Sequence, residues 1–146
     1  MFGTISSFLW KYVAGLTATL PGWKRIQIAP SVGEKCDAAS VLSSQLTQVS
    51  AVLNTTAGLV QVGWDSTSLA RAQINVSIPG GAISGATVVV PCVGAASVVR
   101  ESGRTIWQNG RFVHGGSPRV TAARQHGSIA VAFEVRRGSS LSFERS

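Results

Sequence analysis

The apolar positions change period once along the chain. In residues 1–16 they repeat as on a helix. Phe2, Ile5, Phe8, Leu9, Tyr12, Val13 and Leu16 fall within an arc of roughly 140° at 100° per residue. Thr4, Ser7 and Lys11 oppose them, and Trp10 with Ala14 lies on the flank. Gly3 or Thr4 suits a cap, and Gly15 suits the left-handed residue after a helix end. The spacing therefore predicts an amphipathic N-terminal α-helix, assigned to a segment 1–20. Its broad face is expected to be buried, against the chain's own remainder or a second copy.

After the turn Leu20-Pro21-Gly22 the period becomes two, and the rest of the chain, residues 21–146, reads as one β-domain. Residues 23–28 alternate up to Pro30. Residues 31–46 are polar and weakly patterned, which predicts a long loop with a turn of helix near residues 38–42. Strands are then expected at 48–53, 59–65, 70–78, 86–90, 97–101, 105–108, 111–113, 119–125, 128–136 and 140–144. The segment 54–58 reads as a hairpin turn, as do Ser102-Gly103 and Asn109-Gly110. Val60, Val62 and Trp64 share one face, as do Ala72, Ile74, Val76 and Ile78, and Ile129, Val131, Phe133 and Val135. About nine to eleven short strands without a βαβ rhythm mean a mainly β protein, an antiparallel β-sandwich of jelly-roll type.

Composition narrows the function more than the fold. A 146-residue chain fits one domain and needs no metal or disulfide to fold. The net charge is +7, from ten Arg and three Lys against six carboxylates. The Arg residues are scattered, adjacent only at Arg136-Arg137, and no nucleic-acid-binding module accompanies them. They read as charge on a solvated β-surface, with no specific nucleic-acid partner. The N-terminal apolar run is interrupted by Lys11 and is too short to span a membrane. It also lacks the basic start of a secretory signal, which leaves the compartment open. Cys36 and Cys92 fall in expected loops, consistent with one disulfide or two free thiols. Asn54 and Asn75 begin glycosylation triplets.

Glycoside hydrolysis needs two carboxylates across a sugar. The six available are Glu34, Asp37, Asp65, Glu101, Glu134 and Glu144, and no spacing selects a pair. His114 and His126 precede glycines and read as turn residues. No Cys/His spacing suits a metal, no nucleophile elbow or phosphate loop is present, and no cofactor is implied. Among the four tryptophans, Trp64 is in phase with the core, whereas Trp23 and Trp107 lie in short strands beside turns. These two are the candidates for a carbohydrate-stacking platform.

The motifs FGTISSFLWKYVAGL, PGWKRIQIAP, the strand pair ending in Trp64-Asp65, VSIPGGAISGATVVVP, ESGRTIWQNGRFV and EVRRGSSLSFE follow in order. In that order they resemble the C-terminal part of α-L-rhamnosidases whose catalytic domain is an (α/α)6 barrel. The likeness runs from Phe2 to Glu144, is most specific over the first thirty residues, and leaves residues 33–46 as an insertion. It implies a last barrel helix followed by the C-terminal β-sandwich. In that family the acid and base carboxylates lie upstream, in the barrel. A sugar-contacting histidine lies just before the Phe-Gly matched here by Phe2-Gly3. The resemblance therefore brings no catalytic residue onto this sequence.

Three readings stand. The chain is a non-catalytic accessory domain of the rhamnosidase type, whose partner is a missing catalytic domain. Alternatively it is a freestanding carbohydrate-binding module using Trp23 or Trp107. Or it is a self-associating structural subunit, because an apolar helix face left in water is an association site.

Overall fold

The computed structural model describes residues 9–30, 48–68, 71–81, 83–91, 93–126 and 130–146, with the side chains of Tyr12 and residues 66–68 outside that description. Two sheets form the molecule. The first has five strands in the order β1 (Leu16–Leu20), β2 (Arg25–Ile28), β6 (Gly85–Pro91), β11 (Ala130–Val135) and β10 (Val120–His126). The second has seven: β3 (Gln48–Thr55), β4 (Gly58–Ser68), β5 (Arg71–Ile78), β12 (Ser139–Arg145), β7 (Val99–Glu101), β8 (Arg104–Gln108) and β9 (Arg111–Phe112).

Alternation decides what lies between the sheets. Ala72, Ile74, Val76 and Ile78 are buried along β5, while Arg71, Gln73 and Asn75 face water. Val60, Val62 and Trp64 of β4 meet Ile26, Ile28, Val88, Val131 and Phe133 of the other sheet in one hydrophobic core. Strand β6 is buried on both faces, as its continuous apolar run requires. The predicted mainly β sandwich is thus the observed one.

Two features differ from the sequence reading. Pairing is antiparallel throughout except between β2 and β6, which run parallel with Ile26 opposite Ala86 and Ile28 opposite Val88. A parallel pair needs a crossover, and here β3, β4 and β5 of the other sheet lie between the two strands in sequence.

The second difference concerns the helix. Its expected course over residues 1–16 does not reach Leu16. Leu9–Val13 form one wide π-type turn, closed by the Ala14 N–H donating to the Leu9 carbonyl at 3.0 Å. Gly15 then takes φ +75°, the left-handed value expected of it, and the chain leaves as strand β1. An L-residue pays sterically for that conformation, so the glycine ends the helical turn. Leu16 is buried by its place in β1, not by a helix face. Of the remaining apolar face, Leu9 is exposed and Val13 half-buried. Phe2, Ile5, Phe8 and the Tyr12 side chain lie outside the described residues, as do Cys36, Cys92, residues 31–47 and the helical turn expected at 38–42.

Candidate functional site

The π-type turn is tied to the sandwich by a tryptophan. The Trp64 indole Nε1 donates to the Val13 carbonyl at 3.1 Å while its ring stays in the core. The turn therefore stands over the edge of the five-stranded sheet. Trp10, Lys11, Leu16, Thr17, Ala18, Trp23 and Leu53 enclose an open cleft of about 330 Å³ beside it.

Trp23 reaches this cleft through an uncommon backbone. The turn Pro21–Trp23 contains Gly22 at φ +67° and Trp23 at φ +58°. A bulky residue in the left-handed region carries about 1–3 kcal/mol of strain, and such strain clusters at sites where a side chain is aimed. The turn is fixed from two sides. The Thr56 hydroxyl donates to the Gly22 carbonyl at 3.2 Å, and the Ser84 amide donates to the Lys24 carbonyl at 2.7 Å. Leu9 and Leu20, at 51% and 47% exposure, border the same region in sequence.

Trp107 lies elsewhere. It is buried, with its ring edge-on to Phe133 at 6.3 Å and 89°. It is a core residue, and its face is not offered to a sugar. Trp23 and Trp107 are therefore not brought together. Trp10, which sequence periodicity placed on a helix flank, takes the position beside Trp23.

Two of the described carboxylates, Glu101 and Glu134, are held in structural contacts. Glu101 is 2% exposed and accepts from the Ser102 hydroxyl, from the Ser117 hydroxyl at 2.5 Å and from Arg119 Nη1 at 3.4 Å. Glu134 accepts from Arg25 and from the Thr87 hydroxyl at 3.0 Å, with Arg124 at 3.9 Å. Asp65 is half-buried and Glu144 is exposed. Glu34 and Asp37 lie outside the described residues. His114 and His126 are both exposed, the former edge-on to Phe112 at 4.7 Å. Among the described residues no group of three or more His, Cys, Asp or Glu could hold a metal ion, and no helix is long and apolar enough to cross a membrane.

The contrast between the two anchored carboxylates is testable. Glu101→Ala leaves three donors around an emptied buried site, and is expected to cost about 2 kcal/mol. Glu134→Ala removes a pair open to solvent on its Arg25 side, at 36% exposure, and is expected to cost about 1 kcal/mol or less. Urea unfolding of both variants checks the order, and equal losses would mean that burial is not what separates them.

A second concavity, of about 560 Å³, lies on the outward face of β3, β4, β5 and β12. Sequence alternation already placed Gln61, Gly63 and Asp65 opposite the core face of β4. It carried no signal for which residues of neighbouring strands stand beside them.

Comparison with known proteins accords with this arrangement. Residues 15–105, more than half of the chain, match the family profile described as the bacterial alpha-L-rhamnosidase C-terminal domain. The solved structure of an alpha-L-rhamnosidase from Dictyoglumus thermophilum superposes with a TM-score of 0.73 at 22% identity, over 99% of this chain and 14% of that one. That likeness concerns the fold, and this chain spans about one seventh of the relative's length. No curated protein matches the chain. A profile match of this extent, on the two-sheet fold just described, settles membership: the chain belongs to the bacterial alpha-L-rhamnosidase C-terminal domain family.

Proposed function

We propose that this chain is a non-catalytic accessory domain that packs against the catalytic domain of an α-L-rhamnosidase. The observation carrying this reading is the match to a C-terminal domain that makes up 14% of its solved relative. Glu101 and Glu134 support it, since each answers several donors of the fold, whereas a glycosidase needs one free acid and one free base or nucleophile.

The surface suited to the packing is the N-terminal cleft. Trp10 and Trp23 are large, partly exposed and positioned by a rigid turn, and exposed Leu9 and Leu20 lie next to them in sequence. Aromatic anchors of this kind dominate protein interfaces. The occupant favoured is the rest of a rhamnosidase, because the unit matched in the solved relative is 14% of a longer chain.

One experiment tests both halves. The chain is titrated into an α-L-rhamnosidase catalytic domain lacking its own C-terminal unit, and association is followed by calorimetry alongside turnover of an aryl α-L-rhamnoside. The chain alone is expected to turn over no substrate. It is expected to bind the catalytic domain, with affinity falling about tenfold or more in Trp23→Ala. Turnover by the isolated chain overturns the non-catalytic reading. Self-association in place of binding to the catalytic domain overturns the packing reading, in favour of a self-assembling subunit.

A further inference from the structure

We propose that the outer face of the seven-stranded sheet is a binding trough for a short neutral oligosaccharide. The site shares no lining residue with the Trp10–Trp23 cleft. It stands whether or not the packing just described occurs.

The trough is built by strand register. Ser50 lies opposite Gly63, Gly63 opposite Asn75, and Asn75 opposite Ser142, so four strands contribute one row of small polar residues. Longer side chains flank the row on one side: Gln48 opposite Asp65, and Asp65 opposite Gln73. On the other side stand Val52 opposite Gln61, Gln61 opposite Ser77, and Ser77 opposite Ser140. The concavity runs across the four strands, and Gly63 makes its floor lowest at the centre. Four strands at ~4.8 Å spacing give it a length of about 14 Å, which suits an oligosaccharide of a few units.

Gly63 is the second observation. It sits in mid-strand, where glycine weakens a sheet and often marks a close approach by a ligand or another backbone. Nothing in the fold requires it: its φ is not left-handed, and an added Cβ would meet only the Val49 carbonyl oxygen, at 3.6 Å. The absent side chain keeps the floor of the trough open.

The lining chemistry selects the ligand class. The chain carries a net charge of +7, yet the trough is lined by no Lys or Arg and by one carboxylate, Asp65. That excludes polyanions such as nucleic acid, acidic glycans and anionic lipid. Amides and hydroxyls, among them Gln73 donating to the Ser142 hydroxyl at 3.3 Å, match the mixed donors and acceptors of sugar hydroxyls. A protein partner fits poorly, since interfaces are enriched in aromatics, Met and Arg and depleted in Ser. Trp64 borders the trough but is 3% exposed, so recognition is by hydrogen bonds without stacking. A handful of such bonds at a wet surface gives affinity in about the millimolar range.

The test is an amide NMR titration of the chain with cellotriose, xylotriose and a linear rhamnotriose, with trigalacturonate as the anionic control. At least one neutral trimer is expected to shift the amides of Gly63, Asn75 and Ser142 saturably, and trigalacturonate to leave them unmoved. Gly63→Val is expected to weaken that binding about tenfold or more while the unfolding midpoint holds or rises. The proposal is overturned if no neutral trimer shifts these amides, if Gly63→Val binds as the parent does, or if the shifts map to Trp10 and Trp23. The first two of these results leave association with a catalytic domain untouched, so the two readings fail separately.

Discussion

Replacing Phe133 by Ala is expected to lower the unfolding free energy by about 3–5 kcal/mol. Phe133 is fully buried at the middle of β11, the strand between β6 and β10. Its ring meets Trp107 edge-on at 6.3 Å and Phe143 at 5.7 Å with a 33° tilt, and both belong to the opposite sheet. The side chain is thus the aromatic bridge between the two layers. The two neighbouring strands fix the backbone beneath it, so the cavity cannot collapse cheaply. Domains of this size are stable by about 5–15 kcal/mol, so the loss is a large share of the total. A thermal midpoint lower by roughly 10–15 °C is expected, with an unchanged denaturant slope in urea. A loss below about 1 kcal/mol would mean that Phe133 does not bridge the sheets.

Gly15→Ala is expected to be nearly as damaging, for a different reason. Gly15 has φ +75°, and an added Cβ would lie 2.1 Å from the Ala29 carbonyl oxygen and 2.6 Å from the Pro30 nitrogen. These are backbone atoms that no rotamer change removes. The left-handed conformation alone costs an L-residue roughly 1–2 kcal/mol, and the overlap forces β1 away from the end of β2, so about 3 kcal/mol or more is expected. The Ala29 N–H would lose the Gly15 carbonyl it now reaches at 2.8 Å. Gly22 supplies an internal control. It has φ +67°, but nothing lies within 4 Å of its added Cβ, so Gly22→Ala should cost only the conformational part, about 1 kcal/mol. Hydrogen exchange across β1 and β2 provides the local readout, expected to accelerate in Gly15→Ala and to change little in Gly22→Ala. Equal stability of the two variants would refute the clash argument.

The two predictions mark the limit of what the chain reveals unaided. Val131, Phe133 and Val135 were legible as core, because alternation is a local property of the chain and every other side chain must point the same way. The turns at Ser102-Gly103 and Asn109-Gly110 were equally legible, and both take paired left-handed values. Gly15 was legible as a left-handed residue. That it abuts the backbone of Ala29 was not, because the contact depends on β1 folding back on β2. The same holds for β1 itself. Its LTATL segment buries only Leu16, so it carries almost no alternation of apolar residues and was absorbed into the helix and turn on either side.

The candidate sites divide along the same line. Trp23 was singled out from its place beside a turn, but its partner Trp10 was assigned to a helix flank because the π-type turn and the exit at Gly15 rotate it onto the sheet edge. Trp107 was a stacking candidate from its place in a short strand beside a turn, and packing on Phe133 buries it. The row Ser50–Gly63–Asn75–Ser142 could not be read at all, since three register choices between four strands must combine before it exists. By itself the sequence determined the β class, most strand positions, the turns, the inward faces and the family resemblance, all set by local period and motif order. Only the tertiary structure decided strand order, the parallel β2–β6 pair, where the N-terminal turn sits and which polar residues share a surface, because each depends on pairings between segments far apart in the chain.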